Sequence, residues 1–261
     1  MAVSLAGQTA LVTGASSGIG KELAIELAAR GVNLVLAARR KDNLDALAKK
    51  LSKDADVTVE VIAIDLSKQG SAADLVAKAT KKHTIDILIN NAGFGTHNRV
   101  VNEDPARVQA EITLNIATLT DLTVALLPGM VERNRGSVIN VASTASYQPV
   151  PGMAVYGATK AYVRSFTEAL WGELQGTKVR AFAVSPGATA TEFFDIAGAS
   201  PAGTLAPIST VVDVVMDALT ATKPGPSKIV GGRNRVMARA TQILPKKTVI
   251  KTVGKLFIPK D

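Results

Sequence analysis

A glycine-rich stretch near the start of the chain restricts its possible folds more than any other feature. An apolar run at residues 9–12 leads into a turn at residues 14–20 with the spacing Gly-xxx-Gly-x-Gly, and a helical pattern follows. A helix N-terminus attracts phosphate through free amides and the helix dipole, and glycine lets the backbone approach closely. The stretch therefore predicts a strand, a phosphate-binding turn and a helix, with a plain structural turn as the alternative.

Apolar runs and helical patterns alternate along the rest of the chain. The predicted strands cover residues 9–12, 33–37, 57–64, 85–89, 137–141 and 179–184, and the longest predicted helices cover residues 106–131 and 156–174. This alternation indicates a parallel sheet covered by helices on both faces. Because no repeat or linker interrupts residues 1–235, we predict one doubly wound, Rossmann-like α/β domain, followed by a C-terminal extension at residues 236–261.

A polar residue, a glycine or a proline follows each predicted strand. In chain order these residues are Gly14, Arg39, Asp65, Asn90, Ser143 and Pro186. In open α/β sheets, ligands bind beyond the carboxyl ends of the strands. We therefore expect the functional site at this edge of the sheet.

Composition argues against several kinds of site. The 261 residues include no cysteine and two histidines, so neither disulfides, thiolate chemistry nor a histidine-built metal centre is expected. No secretory signal pattern opens the chain, and no uninterrupted apolar run reaches the ~18 residues of a membrane span. These features predict a cytoplasmic protein.

The net charge of +8 is concentrated at the C-terminus. Residues 1–222 carry a net charge of −1, whereas residues 223–261 carry ten Lys or Arg residues and a single acid, Asp261. The charge pattern thus divides the chain into a nearly neutral body, which is not expected to bind nucleic acid, and a basic tail.

The end of the second predicted strand indicates which dinucleotide would bind. An acid there would bind the ribose of NAD, whereas an arginine would pair with the 2′-phosphate of NADP. Arg39 and Arg40 occupy this place, with no acid before Asp42, and a guanidinium matches phosphate geometry. We predict NADP(H), with a solvated basic turn as the alternative. Asp65 is placed either to accept from the adenine amino group or to cap the next helix.

Tyr156, Lys160 and Ser143 form the candidate catalytic group. Tyr156 and Lys160 are four residues apart on a predicted helix, so their side chains share one face. An ammonium near a phenol lowers the phenol pKa, which is normally about 10. Such a phenol can protonate a carbonyl oxygen during hydride delivery, or accept the proton in reverse. Ser143 would donate a hydrogen bond to the same oxygen. Alone the spacing is typical of any amphipathic surface, but with the glycine turn it predicts an oxidoreductase.

These motifs resemble those of the short-chain dehydrogenases/reductases over roughly residues 4–235. The matching segments are TGASSGIG at 13–20, NNAG at 90–93, Asn115 in TLNIA, Ser143 in VASTAS, YGATK at 156–160, and Pro186, Gly187 and Thr191. One departure is Thr189, where members of the family usually carry Val or Ile.

The resemblance implies specific roles for several residues. Tyr156 is the implied acid/base, Lys160 also holds the nicotinamide ribose, and Ser143 positions the substrate. Asn115 bends its helix and anchors a water for proton relay. With the residue-based interpretations above, the predicted cofactor-binding set is Gly14, Ser16, Ser17, Gly18, Ile19, Gly20, Arg39, Arg40, Asp65, Leu66, Asn91, Ala92, Gly93, Tyr156, Lys160, Pro186, Gly187, Thr189 and Thr191.

Residues 188–207 lack periodicity and leave the sixth strand beside the predicted nicotinamide position. With Phe193 and Phe194 they are expected to cover the substrate, and Val150 and Met153 to line the opposite wall. An apolar, water-excluding lid favours an apolar carbonyl compound and strengthens the electrostatics of the Tyr–Lys pair. The alternative is a loop whose phenylalanines cap the core.

The C-terminal extension predicts an amphipathic helix after Pro245. Its apolar positions are Val249, Ile250, Val253, Leu256 and Phe257, and lysines 247, 251 and 255 lie opposite. Residues 246–258 would thus lie on an anionic membrane, or dock their apolar face on their own subunit or a neighbour. The family resemblance implies a homodimer or homotetramer, with the helices at 106–131 and 161–171 as the dimer contact.

The sequence leaves two classes of function open. The first is an NADP(H)-dependent oxidoreductase acting on a hydrophobic ketone, steroid-like or 3-oxoacyl compound, or on the corresponding secondary alcohol. The second is a non-catalytic NADP(H)-binding sensor or membrane-surface scaffold.

Overall fold

The computed structural model describes residues 3–201 and 204–258. Its centre is a sheet of seven parallel strands, β1 (Thr9–Thr13), β2 (Asn33–Ala38), β3 (Val59–Ala63), β4 (Ile87–Asn90), β5 (Gly136–Val141), β6 (Val179–Ser185) and β7 (Ser227–Ile229). The strands lie in the order β3-β2-β1-β4-β5-β6-β7. From β1 to β3 successive strands are added on one side of β1, and from β4 to β7 they are added on the other. The order of the strands therefore reverses between β1 and β4, which is where such folds open a crevice for ligands.

The described helices are α1 (Gly18–Ala29), α2 (Lys41–Asp54), α3 (Ser71–Thr80), α4 (Pro105–Ile112), α5 (Leu119–Glu132), α6 (Ala154–Glu173), α7 (Phe193–Ala197), α8 (Ser209–Thr220), α9 (Gly232–Ile243) and α10 (Lys246–Phe257). Apolar residues of α1, α2 and α8 cover one face of the sheet, and those of α3, α5 and α6 cover the other. Side chains alternate between the faces, so Val12 joins the first layer and Leu11 the second. The predicted doubly wound α/β fold is confirmed.

The six predicted strands are present, with shifted ends. The third is shorter than predicted, because β3 spans Val59–Ala63. Our prediction did not include β7, α8 or α9, and α7 forms inside the stretch predicted to be aperiodic. Residues 202–203 of that stretch and residues 259–261 of the extension lie outside the described residues. The predicted domain boundary at 235 falls within α9, and it stays a prediction.

Residues 105–132 form a helical run that, judged by length and composition alone, could cross a membrane. In this structure α5 packs on α3 and β5, and Leu122, Leu126 and Met130 join the core below the sheet. We therefore assign the run to the helical layer of the domain.

A buried chain of polar side chains links the central strands to the helices below them. Asn90 Nδ2 donates to Asn140 Oδ1 (2.9 Å) and to Thr123 Oγ1 (3.1 Å), and Asn140 Nδ2 donates to Thr167 Oγ1 (2.8 Å). Buried polar groups stabilise a fold when they are paired and destabilise it when a partner is removed. This chain therefore ties β4 and β5 to α5 and α6 just behind the crevice.

Replacing Asn140 with alanine is expected to lower the free energy of unfolding by about 1–3 kcal/mol, because it removes the partner of two buried amide or hydroxyl groups. Urea denaturation measures the change. Val101→Ala, at a side chain that is 84% exposed, is the control and is expected to change stability by less than about 0.5 kcal/mol. Equal effects of the two substitutions would contradict a structural role for the polar chain.

Candidate active site

A cavity of about 940 Å³ runs along the carboxyl edge of the sheet, from the glycine turn to α9 and α10. Every predicted site residue lines it except Gly20 and Asn115, which lie behind its wall. The predicted site therefore comes together in one continuous space. Among residues 3–201 and 204–258, no group of three or more His, Asp or Glu side chains is arranged to hold a metal ion.

The glycine turn is held tightly against the end of β4. Gly14 and Gly18 have φ angles of 67° and 55°, in the left-handed region that favours glycine. A Cβ at Gly20 would lie 2.5 Å from the Gly14 carbonyl oxygen. Asn91 Nδ2 donates to the Thr13 carbonyl (2.9 Å), and Thr13 Oγ1 accepts from the Asn91 amide (3.0 Å). Since no side chain caps α1, its first amides are free to bind a phosphate.

Arg40 does not project freely into the cavity. Its Nη2 donates to Ser17 Oγ (2.6 Å) and to Glu192 Oε2 (2.9 Å), and its guanidinium also reaches Ser16 Oγ (3.3 Å). The arginine thus bridges the glycine turn and the segment after β6. The ion pair is exposed, so its contribution to stability is small.

Arg39 and Asp65 line the cavity beside this bridge. Asp65 Oδ1 accepts from the amide (3.1 Å) and the hydroxyl (2.7 Å) of Ser67. Partial burial would raise the pKa of Asp65, but the Ser67 hydrogen bonds and the Arg39 guanidinium outweigh it and hold that pKa below its ordinary value. Asp65 caps this turn rather than a helix, because α3 begins later, at Ser71.

The candidate catalytic side chains meet in the middle of the cavity. Tyr156 and Lys160 project from the same side of α6, and Ser143 follows β5. Lys160 Nζ donates to the Val141 carbonyl (2.7 Å) and lies 5.9 Å from the centre of the Tyr156 ring. Both side chains are buried, with 9% of Tyr156 and 5% of Lys160 exposed. The three groups are therefore close enough to act on one substrate oxygen.

The predicted lowering of the Tyr156 pKa is not found in this structure. Burial raises the pKa of Tyr156 to about 12, against the opposing effect of its hydrogen bond with Ser143. Burial also lowers the pKa of Lys160 to about 8. Desolvation disfavours the charged form of both groups, and it is the largest influence on each pKa. The phenol is thus held in the protonated form, which suits a proton donor.

Asn115 connects two elements behind the cavity. Its Nδ2 donates to the Phe94 carbonyl (2.8 Å) and to Thr159 Oγ1 (3.1 Å), and its Oδ1 accepts from the Phe94 amide (3.2 Å). It lies in a π-helical segment, Thr113–Thr118, between α4 and α5. Such a segment interrupts the regular helix at the predicted position.

The far half of the cavity is apolar. The Phe193 ring lies 5.0 Å from that of Tyr156 and 5.4 Å from that of Phe194. Val150 and Met153 pack into the same cluster as Tyr156. Val150, Met153 and Phe193 thus pack around the candidate proton donor, and Phe194 packs edge-on against Phe193.

Thr189 and Thr191 connect this apolar half to the glycine turn. Thr189 forms an isolated bridge with Ala206, and its hydroxyl donates to the Gly187 carbonyl (3.0 Å). A Cβ at Gly18 would lie 3.2 Å from Thr191 Cγ2. Thr191 therefore lies directly over the predicted phosphate site.

The C-terminal helix α10 closes the apolar end. Val253 and Phe257 pack on the cluster around Tyr156, and Val249 is 4% exposed. His97 ties this end to the lid, since its ring nitrogens lie 2.6 Å from the Phe257 carbonyl and 3.2 Å from that of Gly198. Much of the apolar face of α10 is therefore turned toward its own chain, as the self-docking alternative predicted.

Sequence reasoning missed several residues of this site. The cavity is also lined by Arg233, Asn234, Met237, Ala238, Thr241, Val253, Leu256 and Phe257. The amphipathic pattern of α10 predicted a buried face, but nothing in the pattern identified the substrate half of the cavity as its partner. Glu111, fully buried beside the catalytic pair, was also missed because one acidic residue in a helix carries no pattern.

Known proteins share both the sequence pattern and this architecture. Residues 8–200 match the family model for short chain dehydrogenase. The NADP-dependent 3-hydroxy acid dehydrogenase of Schizosaccharomyces pombe is 38% identical over 193 residues, which are 72% of this chain and 74% of that protein. Hydroxysteroid dehydrogenase-like protein 1 of Gallus gallus is 37% identical over 187 residues, covering 71% of this chain and 56% of the relative.

A solved structure is similar over most of the fold. The short-chain dehydrogenase of Sphingobium yanoikuyae in complex with NADPH is 34% identical, with a TM-score of 0.81 over 90% of this chain and 94% of that one. The chain belongs to the short-chain dehydrogenase family.

Proposed function

We propose that this protein is an NADP(H)-dependent oxidoreductase that transfers a hydride between the nicotinamide and a carbonyl or secondary alcohol of a hydrophobic substrate. The observation that carries the proposal is the convergence of Ser143, Tyr156 and Lys160 in one cavity that also reaches the glycine turn. One similar structure is described as a complex with NADPH and one similar protein as NADP-dependent, which supports the same cofactor here.

The residues of the glycine turn fit a dinucleotide. Gly14 and Gly18 adopt the left-handed backbone conformation of a tight turn, and the uncapped start of α1 offers amides to the pyrophosphate. When bound, NADPH supplies the hydride for the carbonyl carbon. Arg39 and Arg40 both line the cavity, but the Arg40 guanidinium is hydrogen-bonded to Glu192 and the turn serines. We therefore assign the 2′-phosphate to Arg39.

The proton comes from the chain itself. In the reductive direction Tyr156 donates its phenolic proton to the substrate oxygen, which becomes the hydroxyl of the alcohol product. Ser143 donates a hydrogen bond that orients the same oxygen. The buried ammonium of Lys160 stabilises the phenolate left behind, and the reverse transfer occurs during alcohol oxidation. Asn115 is assigned to the catalytic group through its tie to Thr159, next to Lys160.

The substrate is proposed to be apolar. Val150, Met153, Phe193, Phe194 and α10 form the walls around the proton donor. A steroid-like ketone or a 3-oxoacyl compound presents the required carbonyl on an apolar body. Burying such a body provides most of the binding free energy.

The C-terminal region is proposed to contact an anionic membrane. Four apolar residues of α9 and its end, which we call the α9 face, are exposed: Val236 (69%), Met237 (55%), Ile243 (86%) and Leu244 (50%). Exposed basic residues flank this face: Arg233, Arg235, Arg239, Lys246, Lys247, Lys251 and Lys255. Residues 223–258 contain no acid, so a second copy of this surface would be repelled, whereas anionic lipid would be attracted. Residues 246–258 would contact the membrane through their lysines, which are among these flanking basic residues.

Self-association is proposed to use another surface. Val124 and Val131 on α5 and Tyr162 on α6 are exposed by 62%, 40% and 37%. These helices are adjacent to the catalytic pair and offer apolar area for a homodimer, or for one interface of a homotetramer. A cytoplasmic location also stays a prediction.

Tyr156→Phe tests the catalytic assignment. We expect kcat for NADPH-dependent reduction of long-chain 3-oxoacyl or steroid ketones to fall by about 10²–10⁴-fold, since the proton donor is removed. NADPH oxidation at 340 nm measures the rate, and a fluorescence titration measures NADPH binding, so that kcat is compared at saturating cofactor. Tyr162→Phe, on the same helix but exposed, is the matched control. Undiminished turnover in Tyr156→Phe would contradict the assignment, and NADPH binding without turnover of any substrate by the parent protein would favour the sensor hypothesis.

Arg39→Ala tests the cofactor assignment. Loss of a charge-assisted contact worth about 1.5–3 kcal/mol should raise the Kd for NADPH by roughly 10–100-fold and leave the Kd for NADH unchanged. Arg30→Ala, which removes an exposed arginine paired with Glu26 on α1, is the control. A parallel loss of NADPH and NADH affinity would show that Arg39 does not bind the 2′-phosphate.

Vesicle co-sedimentation tests the membrane surface. The protein should bind phosphatidylglycerol vesicles and not phosphatidylcholine vesicles, with weaker binding in high salt. Ile243→Ser with Leu244→Ser should weaken binding by about tenfold or more, because two exposed apolar side chains no longer enter the lipid. The control pair Val100→Ser and Val101→Ser, at side chains 63% and 84% exposed, should bind as the parent does. Equal binding to the two kinds of vesicle, or no loss of binding in the variant with Ile243→Ser and Leu244→Ser, would refute the assignment.

A further inference from the structure

Glu111 is a buried acid that has no role in the proton transfer proposed above. It lies on α4 with 0% of its surface exposed. In the described part of the chain, neither carboxyl oxygen meets a hydrogen-bond donor at normal geometry. Burial raises the pKa of Glu111 to about 7, against the opposing effect of the hydroxyl and amide of Thr96, which approach the carboxyl group. A fully buried acid whose carboxyl group is approached by Thr96 without good hydrogen-bond geometry costs stability unless an opposite charge compensates it.

The position of Glu111 places it beside the catalytic lysine. It precedes Asn115 by four residues, and Asn115 Nδ2 bonds Thr159 Oγ1 (3.1 Å), next to Lys160. Asn115 and Lys160 are themselves close, since a Cβ at Gly93 would lie 2.9 Å from Asn115 Oδ1 and 3.4 Å from Lys160 Nζ. The helix bearing Glu111, α4, packs against α6, the helix that bears Lys160.

Three titratable groups interact electrostatically with Glu111. Lys160 and Tyr156 face it from α6, and Glu103 faces it from the segment before α4. Among the described residues, Glu111 is the acid whose charge raises the Lys160 pKa against the lowering caused by burial. Its charge also raises the Tyr156 pKa. A carboxylate at Glu111 thus favours an ammonium on Lys160 and a protonated phenol on Tyr156.

We propose that Glu111 is the counter-ion of Lys160, a positioning residue that keeps the ammonium charged beside the proton donor. The proposal rests on the proposed roles of Tyr156 and Lys160 in proton transfer. Lys160 carries its proton below its own pKa and loses it as pH rises through that pKa. Without the carboxylate, the ammonium is lost at a lower pH, and with it the stabilisation of the Tyr156 phenolate.

The charge of Lys160 can be followed without any substrate. Protein labelled with [ε-¹³C]lysine is titrated by NMR, and the Lys160 signal is assigned by its loss in Lys160→Met. In Glu111→Gln the Lys160 midpoint should move down by about one pH unit, the size expected for removal of a nearby opposite charge. Glu103→Gln, which removes the neighbouring acid, is the matched control and should leave the midpoint in place. An unmoved midpoint in Glu111→Gln would overturn the proposal.

Glu111→Met provides a second variant of similar volume. A positioning carboxylate should be replaceable without loss of the fold, so the melting temperature of Glu111→Met should equal or exceed that of the parent, while its Lys160 midpoint should fall as in Glu111→Gln. A lower melting temperature with an unmoved midpoint would show that Glu111 is structural.

Kinetics provide the functional readout. In the reductive direction, the alkaline limb of the kcat/KM profile should move to lower pH in Glu111→Gln, with rates about five- to tenfold below the parent near pH 8–9 and within about twofold at pH 6. Glu111→Asp, which retains the charge, should restore much of the profile. A loss by the same factor at every pH would contradict the proposal. Because the NMR titration needs no turnover, failure of the counter-ion proposal is distinguishable from failure of the proposed reaction.

Discussion

The close approach of the glycine turn to the end of β4 is the constraint on which the site depends. Gly14 and Gly20 have no room for a Cβ, and the Thr13 hydroxyl and the Asn91 amide hold the two segments together. This contact places the start of α1 over the crevice between β1 and β4. Phosphate binding, the orientation of the dinucleotide and the position of its reactive end all follow from that placement.

A second constraint is the burial of charge at the catalytic centre. Lys160 lies inside the protein, and its ammonium is held by the Val141 carbonyl and the electrostatic effect of Glu111. Burial favours the neutral form of the lysine and holds the phenol protonated. The active site therefore combines an apolar cavity, which suits the proposed substrate, with a small number of polar groups that keep the proton donor and its cation in their working states.

Much of the fold could be predicted from the sequence because a doubly wound sheet leaves a repeating signal. Continuous apolar strands, helical periodicity and residues such as Ser143 at strand ends depend on local order along the chain. The short strand β7 was missed because three residues carry no readable period. The direction of the Tyr156 pKa shift was wrong because burial, which depends on segments distant in the sequence, is the largest cause of that shift. The contribution of α10 to the cavity was missed for the same reason, since a pattern predicts a buried face but not its partner.

Transfer of deuterium from [4-²H]NADPH to the carbinol carbon of a hydrophobic ketone tests the central claim most directly. Mass spectrometry of the alcohol product after a single turnover should show one deuterium from the labelled face of the cofactor at that carbon, while the hydroxyl proton, delivered by Tyr156, exchanges with solvent. Tight NADPH binding with no deuterium in any product across long-chain 3-oxoacyl, steroid and aromatic ketones would contradict the claim that this cavity performs hydride transfer.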